Sequence, residues 1–170
     1  MSQGLENIDP QQVEIRLLRK EDNAAMARII RSSLKEFGLD KPGTVYTDPT
    51  TDDLHALFQK ERARYFIATD NGRIIGGAGV YPSNGLPEDT CEFVKMYLEP
   101  DARGIGLGAR MIAESIETAR SFGYRRVYIE TMPELHKAIS LYERFGFNRL
   151  EAPMGDTGHF GCDVWMLLSL

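Results

Sequence analysis

The sequence predicts an α/β protein built on a mixed sheet, and three observations carry that prediction. Short strand-like runs take turns along the chain with amphipathic helical stripes. Asp70-Asn71-Gly72 lies between two apolar runs, the signature of an antiparallel hairpin. The order strand, loop, helix, strand over residues 91–131 is a crossover, which leaves its two strands parallel.

Taken in order, residues 1–12 are polar and aperiodic and read as a loose lead-in to a single domain over 13–170. Val13-Glu14-Ile15-Arg16-Leu17 alternates apolar and polar residues, as a half-buried strand does. A helix follows, with Asp22 or Asn23 as its N-cap and a stripe of Met26, Ile29, Ile30, Leu34 and Phe37 that stops at Gly38. The polar connection from Leu39 to Thr51 is longer than a turn requires, and long ordered loops often border binding sites. Tyr46 and Asp48 lie in it without an evident core role. Thr51 or Asp52 then caps a short helix carrying Leu54, Leu57 and Phe58.

Strands follow at 64–68 and 73–81. Gly76, Gly77 and Gly79 weaken the second, so they mark a bulge or a place where something approaches the backbone closely. The run from Cys91 to Leu98 is a strand ended by Pro100. Leu107, Met111, Ile112, Ile116 and Ala119 form the stripe of a long helix ended by Gly123, and Arg126–Thr131 is the parallel strand. A last helix carries Leu135, Ala138, Ile139, Tyr142 and Phe145. Two strands near 147–152 and 163–169 close the chain around a glycine-rich loop, Met154 to Gly161.

With 170 residues, 42% of them hydrophobic and 26% charged, the chain has the composition of one ordinary globular domain. It shows neither a long apolar span nor a secretory leader, so the expected setting is cytoplasmic, with no membrane partner. Cys91 and Cys162 are then expected to be reduced. A net charge of −5 argues against a nucleic-acid partner, whose phosphates demand basic residues.

The chain is organised around Arg103-Gly104-Ile105-Gly106-Leu107-Gly108, which joins the strand at 91–98 to the long helix. The first N–H groups of a helix lack intrahelical partners and sit at the positive end of its dipole, so backbone alone can hold an anion there. Glycine lets that anion come close, and Arg103 can add a bidentate fork. No Gly-Lys-Ser/Thr follows, which disfavours a Walker loop, and Glu99-Pro100-Asp101-Ala102 separates the glycines from their strand, which disfavours a dinucleotide fingerprint. A pyrophosphate held mainly by main chain fits best.

Arg103-x-x-Gly106-x-Gly108, followed by Ala138-x-x-Leu141-Tyr142-Glu143-x-x-Gly146-Phe147, resembles the GCN5-related N-acetyltransferase (GNAT) family. The resemblance runs from about residue 13 to the C-terminus. It implies a mostly antiparallel sheet splayed between the strands at 91–98 and 126–131, with about four flanking helices and the acetyl-CoA thioester in the wedge. It further implies acetyl-CoA as cosubstrate. The pyrophosphate would rest on Arg103, Gly104, Ile105, Gly106, Leu107 and Gly108, and the pantetheine arm on the backbone of Met96, Tyr97 and Leu98. The reaction implied is direct attack by a primary amine, and a homodimer is expected from the resemblance alone.

Within that resemblance Tyr142 takes the general-acid position near the thioester sulfur, and Glu92 is the first choice of base, ahead of Glu130 or a water chain. Leu135 stands where the family often has an asparagine that contacts the cofactor. Tyr46, Asp48, His159 and Asp163 are the expected acceptor-binding residues, with Asp48, Asp156 and Asp163 suited to a cationic acceptor. His159 and Cys162 are too few ligands for a metal site. The competing class is a protein that binds or senses coenzyme A without turnover; a nucleotide-binding protein is a more distant third.

Overall fold

The computed structural model describes residues 7–170. Of the lead-in 1–12, residues 1–6 lie outside the described residues. The rest of that stretch is tied down rather than loose: Ile8 packs into the core, and the Arg110 guanidinium donates to the carbonyls of Pro10 (3.1 Å) and Val13 (3.0 Å).

The described strands are β1 (Glu14–Leu17), β2 (Arg64–Asp70), β3 (Arg73–Tyr81), β4 (Thr90–Leu98), β5 (Arg126–Thr131), β6 (Asn148–Leu150) and β7 (Val164–Ser169). They form one sheet in the order β1-β2-β3-β4-β5-β7-β6, antiparallel throughout except for β4 beside β5. The expected crossover is therefore present. The helices are α1 (Asn23–Glu36), α2 (Leu54–Leu57), α3 (Leu107–Ser121) and α4 (His136–Arg144).

Period-two alternation sorts the core onto the two faces of the sheet. Phe66, Ala68, Cys91, Phe93, Val127 and Ile129 face the cluster that includes α3 and α4. Tyr65, Ile67 and Val94 face the cluster that includes α1, where Met26, Ile29, Ile30 and Leu34 are fully buried. Each of those α1 side chains contributes roughly 1.5–3 kcal/mol of burial before entropy is charged against it. By the same alternation Glu92 and Glu130 point to the α1 side.

Two caps differ from expectation. Asp22 precedes α1 without capping it, because its carboxylate accepts from the Arg19 N–H (2.7 Å) and the Arg16 guanidinium (2.7 and 3.0 Å). Asp53, rather than Thr51 or Asp52, caps α2 by accepting from the Ala56 N–H at 3.1 Å. The connection from Leu39 also contains two 3-10 turns, at Val45–Thr47 and Pro49–Asp52.

The glycines of β3 explain the shape of β4. A Cβ at Gly77 would lie 2.5 Å from the Tyr65 ring and one at Gly79 2.7 Å from it, so both must be glycine for that ring to lie on β3. The Tyr65 hydroxyl then donates to the Lys95 carbonyl at 2.7 Å. Register steps from Gly77↔Tyr97 to Gly79↔Val94, leaving an extra residue on β4, and Lys95 adopts a positive φ of 53°. That is a bulge, held from behind by a tyrosine.

Candidate functional site

β4 and β5 pair only at Thr90↔Arg126, Cys91↔Val127 and Glu92↔Tyr128. From Phe93 to Leu98 β4 runs on without β5, so the sheet splays open directly after Glu92. Unpaired strand edge of this kind can accept an extended, amide-bearing ligand as an added strand. Met96 and Leu98 pack against the α3 side of the core and Tyr97 against the α1 side. The Leu98 carbonyl already accepts from Arg103 Nε at 3.2 Å.

The joint after β4 is built as expected. Gly104 and Gly106 hold φ values of 76° and 83°, a left-handed conformation that side chains disfavour. Gly106 is the N-cap of α3 and no side chain caps the helix there. The first intrahelical bond runs from the Arg110 N–H to the Gly106 carbonyl at 3.2 Å, which leaves the preceding amides for an anion. Ile105 and Leu107 anchor this loop in the core, and Gly108 lies against Leu141 of α4. Arg103 also has a partner within the protein. Its guanidinium forks onto Glu36 at the end of α1, with both N···O distances 3.0 Å, and so bolts the loop to α1.

On the α1 side of the splay lies a small cavity of about 40 Å³ whose polar walls include Glu92, Lys95, Glu130 and His159, with Tyr97 and Leu135 also lining it. Glu92 is only 3% exposed and accepts from Ser83 Oγ at 2.7 Å. Its burial raises its pKa to about 7, with the Ser83 hydrogen bond opposing the rise and the Glu130 charge adding to it. Glu130 accepts from the Tyr128 hydroxyl at 2.8 Å and from the Thr157 hydroxyl.

Two long connections meet over this cavity. The Gly161 N–H donates to the Gly43 carbonyl at 2.7 Å, and Phe160 lies across Gly43, where a Cβ would be 2.5 Å from its ring. That docking brings His159 Nε2 to 3.1 Å from Asp48 Oδ2, with His159 Nδ1 3.9 Å from Glu130. Asp48 also accepts from the Thr50 N–H (2.9 Å) and hydroxyl (2.7 Å), and lies 3.5 Å from Lys95 Nζ. His159 and these donors hold the Asp48 carboxyl well below the usual carboxylate range.

Of the expected acceptor residues, Asp48 and His159 thus converge with Glu92. Tyr46 packs at the edge of the α1-side core, and Asp163 is exposed, with its N–H donating to the Thr131 carbonyl at 3.2 Å. Asp156 is exposed as well. Ligand atoms of Glu92, Glu130 and His159 lie within 4.8 Å of one another, a grouping that the pair His159 and Cys162 did not suggest. Lys95 lines the same cavity; burial lowers its pKa and Asp48 opposes that shift, and in its protonated form it opposes a cation there.

Tyr142 approaches from the opposite face. It is 6% exposed, edge-on to Phe93 (6.0 Å between ring centres) and tilted against Phe147 (5.9 Å), and burial pushes its phenol up. Burial also raises the thiols of Cys91 and Cys162 to about 12, which keeps both protonated and poor nucleophiles at neutral pH. A larger groove, about 640 Å³, lies between β1 and α3. It touches none of these groups.

Sequence reasoning missed Lys95, Ser83 and Thr157. Alternation along β4 would send Lys95 toward α3, and only the bulge turns it into the cavity. The glycines of β3 were the available signal.

Comparisons with known proteins bear on the family and the fold. A model described as the acetyltransferase (GNAT) family matches residues 26–147. The Escherichia coli protein named uncharacterized N-acetyltransferase YjgM is 40% identical over 168 residues, covering 98% of this chain and 100% of its own length. Among solved structures, a GNAT-family acetyltransferase from Staphylococcus aureus superposes with a TM-score of 0.78 at 15% identity, covering 92% of this chain and 98% of the other. The structure of yncA from Salmonella typhimurium, solved with its cofactor acetyl-CoA, gives a TM-score of 0.72 at 21% identity and covers 93% of this chain and 94% of the other. At these identities the two structures speak for the fold.

Proposed function

Since the chain belongs to the acetyltransferase (GNAT) family, and is an acetyl-CoA-dependent N-acetyltransferase, we propose that a primary amine attacks the thioester in the wedge after Glu92, with Glu92 as base and Tyr142 as acid. The observation that carries this reading is the buried carboxylate of Glu92 at the last paired position before the splay. A base poised near neutral pH is what proton removal from an amine requires.

Acetyl-CoA enters as cosubstrate, its pyrophosphate on the amides of Gly104 to Gly108 and its pantetheine amides along the open edge of β4. Arg103 then acts through Glu36, fixing the loop rather than gripping phosphate. The amine nitrogen forms a bond to the acetyl carbonyl carbon, the carbon–sulfur bond breaks, and the amine's proton passes to Glu92. Tyr142 donates to the departing sulfur from the other face of β4 and regains its proton from solvent, since burial favours the protonated phenol. Positioning and charge stabilisation supply much of the acceleration, and no acyl-enzyme is needed. Unpaired, buried Cys91 and Cys162 support a cytoplasmic setting.

The test is steady-state acetyl transfer with products identified by mass spectrometry. Glu92→Gln should lower kcat about 10²–10⁴-fold and Tyr142→Phe about tenfold or more, with acetyl-CoA affinity by calorimetry changed little in either. Full activity in Glu92→Gln would remove the base from this carboxylate.

A further inference from the structure

The cavity beside Glu92 carries charges of both signs, which a site for a bare amine does not need. Lys95 is the unusual member. Its side chain is 4% exposed, it lines the cavity, and among the described residues its ammonium has three donors but a single carboxylate partner, Asp48, at 3.5 Å. That partner is shared. The same Asp48 Oδ2 is closer to His159 Nε2, at 3.1 Å, and Thr50 occupies Oδ1 twice. Lys95 is therefore the most distant of the donors around Asp48 and retains donors directed at no group among the described residues.

A buried ammonium with so little compensation is costly, and it repels an approaching ammonium as well. Both problems vanish if the acceptor brings its own anion. On the remaining polar wall stand Glu92 and Glu130, from adjacent parallel strands and on one face of the sheet. One wall of the cavity thus suits a carboxylate and another an amine, and the cavity, at about 40 Å³, admits only a compact head group. Lys95 reaches this place because the bulge held by Tyr65 turns it there, so the second charge is built into the strand.

We propose that the acceptor is a free α-amino acid, with its α-carboxylate on Lys95 and its α-amine facing Glu92 and Glu130. This rests on the reading of the wedge given above and narrows its acceptor. The α-ammonium loses one proton to become nucleophilic. It forms the nitrogen–carbon bond to the acetyl carbonyl and loses its second proton to Glu92. The carbon–sulfur bond breaks, and the thiolate takes up one proton, so the products are coenzyme A thiol, the N-acetylamino acid and one released proton. Peptide and protein lysines, whose ε-amine has no carboxylate beside it, are poor acceptors on this account.

The experiment measures acetyl transfer to a panel of L-amino acids, each compared with its α-carboxamide and its decarboxylated amine, with acetylated lysine peptides as a further arm. Wild-type protein should prefer at least one free amino acid over its amide by about tenfold or more in kcat/KM, expressed mainly in KM. In Lys95→Met that ratio should fall to about one. Transfer to amides, amines or lysine peptides at rates equal to the free acids would overturn the proposal while leaving an amine acetyltransferase intact. A preference that survives Lys95→Met would overturn Lys95 as the carboxylate's partner. Silence on every amine, with acetyl-CoA bound, would remove both this proposal and the acceptor reading beneath it. The wild-type comparison decides the substrate class even if the variant does not fold.

Discussion

At the scale of the residue, the character of the site depends on how few groups oppose the burial of Glu92. Desolvation lifts its pKa to about 7, and the hydrogen bond from Ser83 is the largest influence holding it down. With Glu92 as the proposed base, attack requires its deprotonated form, so kcat/KM should rise with pH through about 7 on a limb that Glu92→Gln abolishes. Ser83→Ala removes a donor that favours the charged form, which must push the limb to higher pH. A hydrogen bond to a charged group contributes about 1.5–3 kcal/mol, so the expected displacement is about one pH unit or more. The measurement is the pH profile of kcat/KM for both proteins under saturating acetyl-CoA. A limb that stays in place in Ser83→Ala would mean that the titrating group is not Glu92, or that the solvent readily replaces Ser83.

At the scale of the element, the turn into α3 is the clearest case of backbone dictating residue. Gly106 has a φ of 83° and no atom within 4 Å of where a Cβ would stand, so Gly106→Ala introduces strain without a clash. That strain is about 1–2 kcal/mol and is relieved by moving the loop whose amides are proposed to hold the pyrophosphate. Gly38 closes α1 with a φ of 70° and equally open space, and it is the fitting control. Both alanine variants should lose similar stability, but only Gly106→Ala should raise the KM for acetyl-CoA, about three- to tenfold. Equal KM values in the two would deny the loop its binding role. These glycines were legible in the sequence because a helical stripe begins directly after them, and so was the wedge, because strand, helix and strand in that order demand a parallel pair. Glu92 and Glu130 were legible from alternation and the resemblance together. Lys95 was not, since a bulge inverts alternation at the residue where it occurs; the cap of α1 went astray because Asp22 found Arg16, and that of α2 because Thr51, Asp52 and Asp53 offer equivalent oxygens in succession.

At the scale of the whole molecule, the wedge sets stability against activity, and the sign of that opposition can be measured. Asp48 joins the loop after α1, the bulge of β4 and the loop before β7 through Lys95 and His159. Its carboxyl is held well below the usual value, so the stability it contributes is present above pH 3.8 and disappears only as pH falls through its folded value. Glu92 behaves in the opposite sense. Its folded pKa of about 7 lies above the ordinary 4.5, so over that interval the unfolded chain gives up a proton that the folded protein keeps. The folded state binds more protons, and stability must fall as pH rises from about 4.5, reaching its full loss above 7, on the order of 3 kcal/mol. Glu92→Gln has no such proton to lose. Its stability relative to the wild type should therefore increase between pH 5 and pH 8, while its transferase activity falls furthest below the wild type at pH 8. Urea unfolding of the two proteins at these pH values measures the difference directly. A gap that is the same at pH 5 and pH 8 would show that Glu92 titrates alike in the folded and unfolded chains, and that its burial does not set its proton affinity.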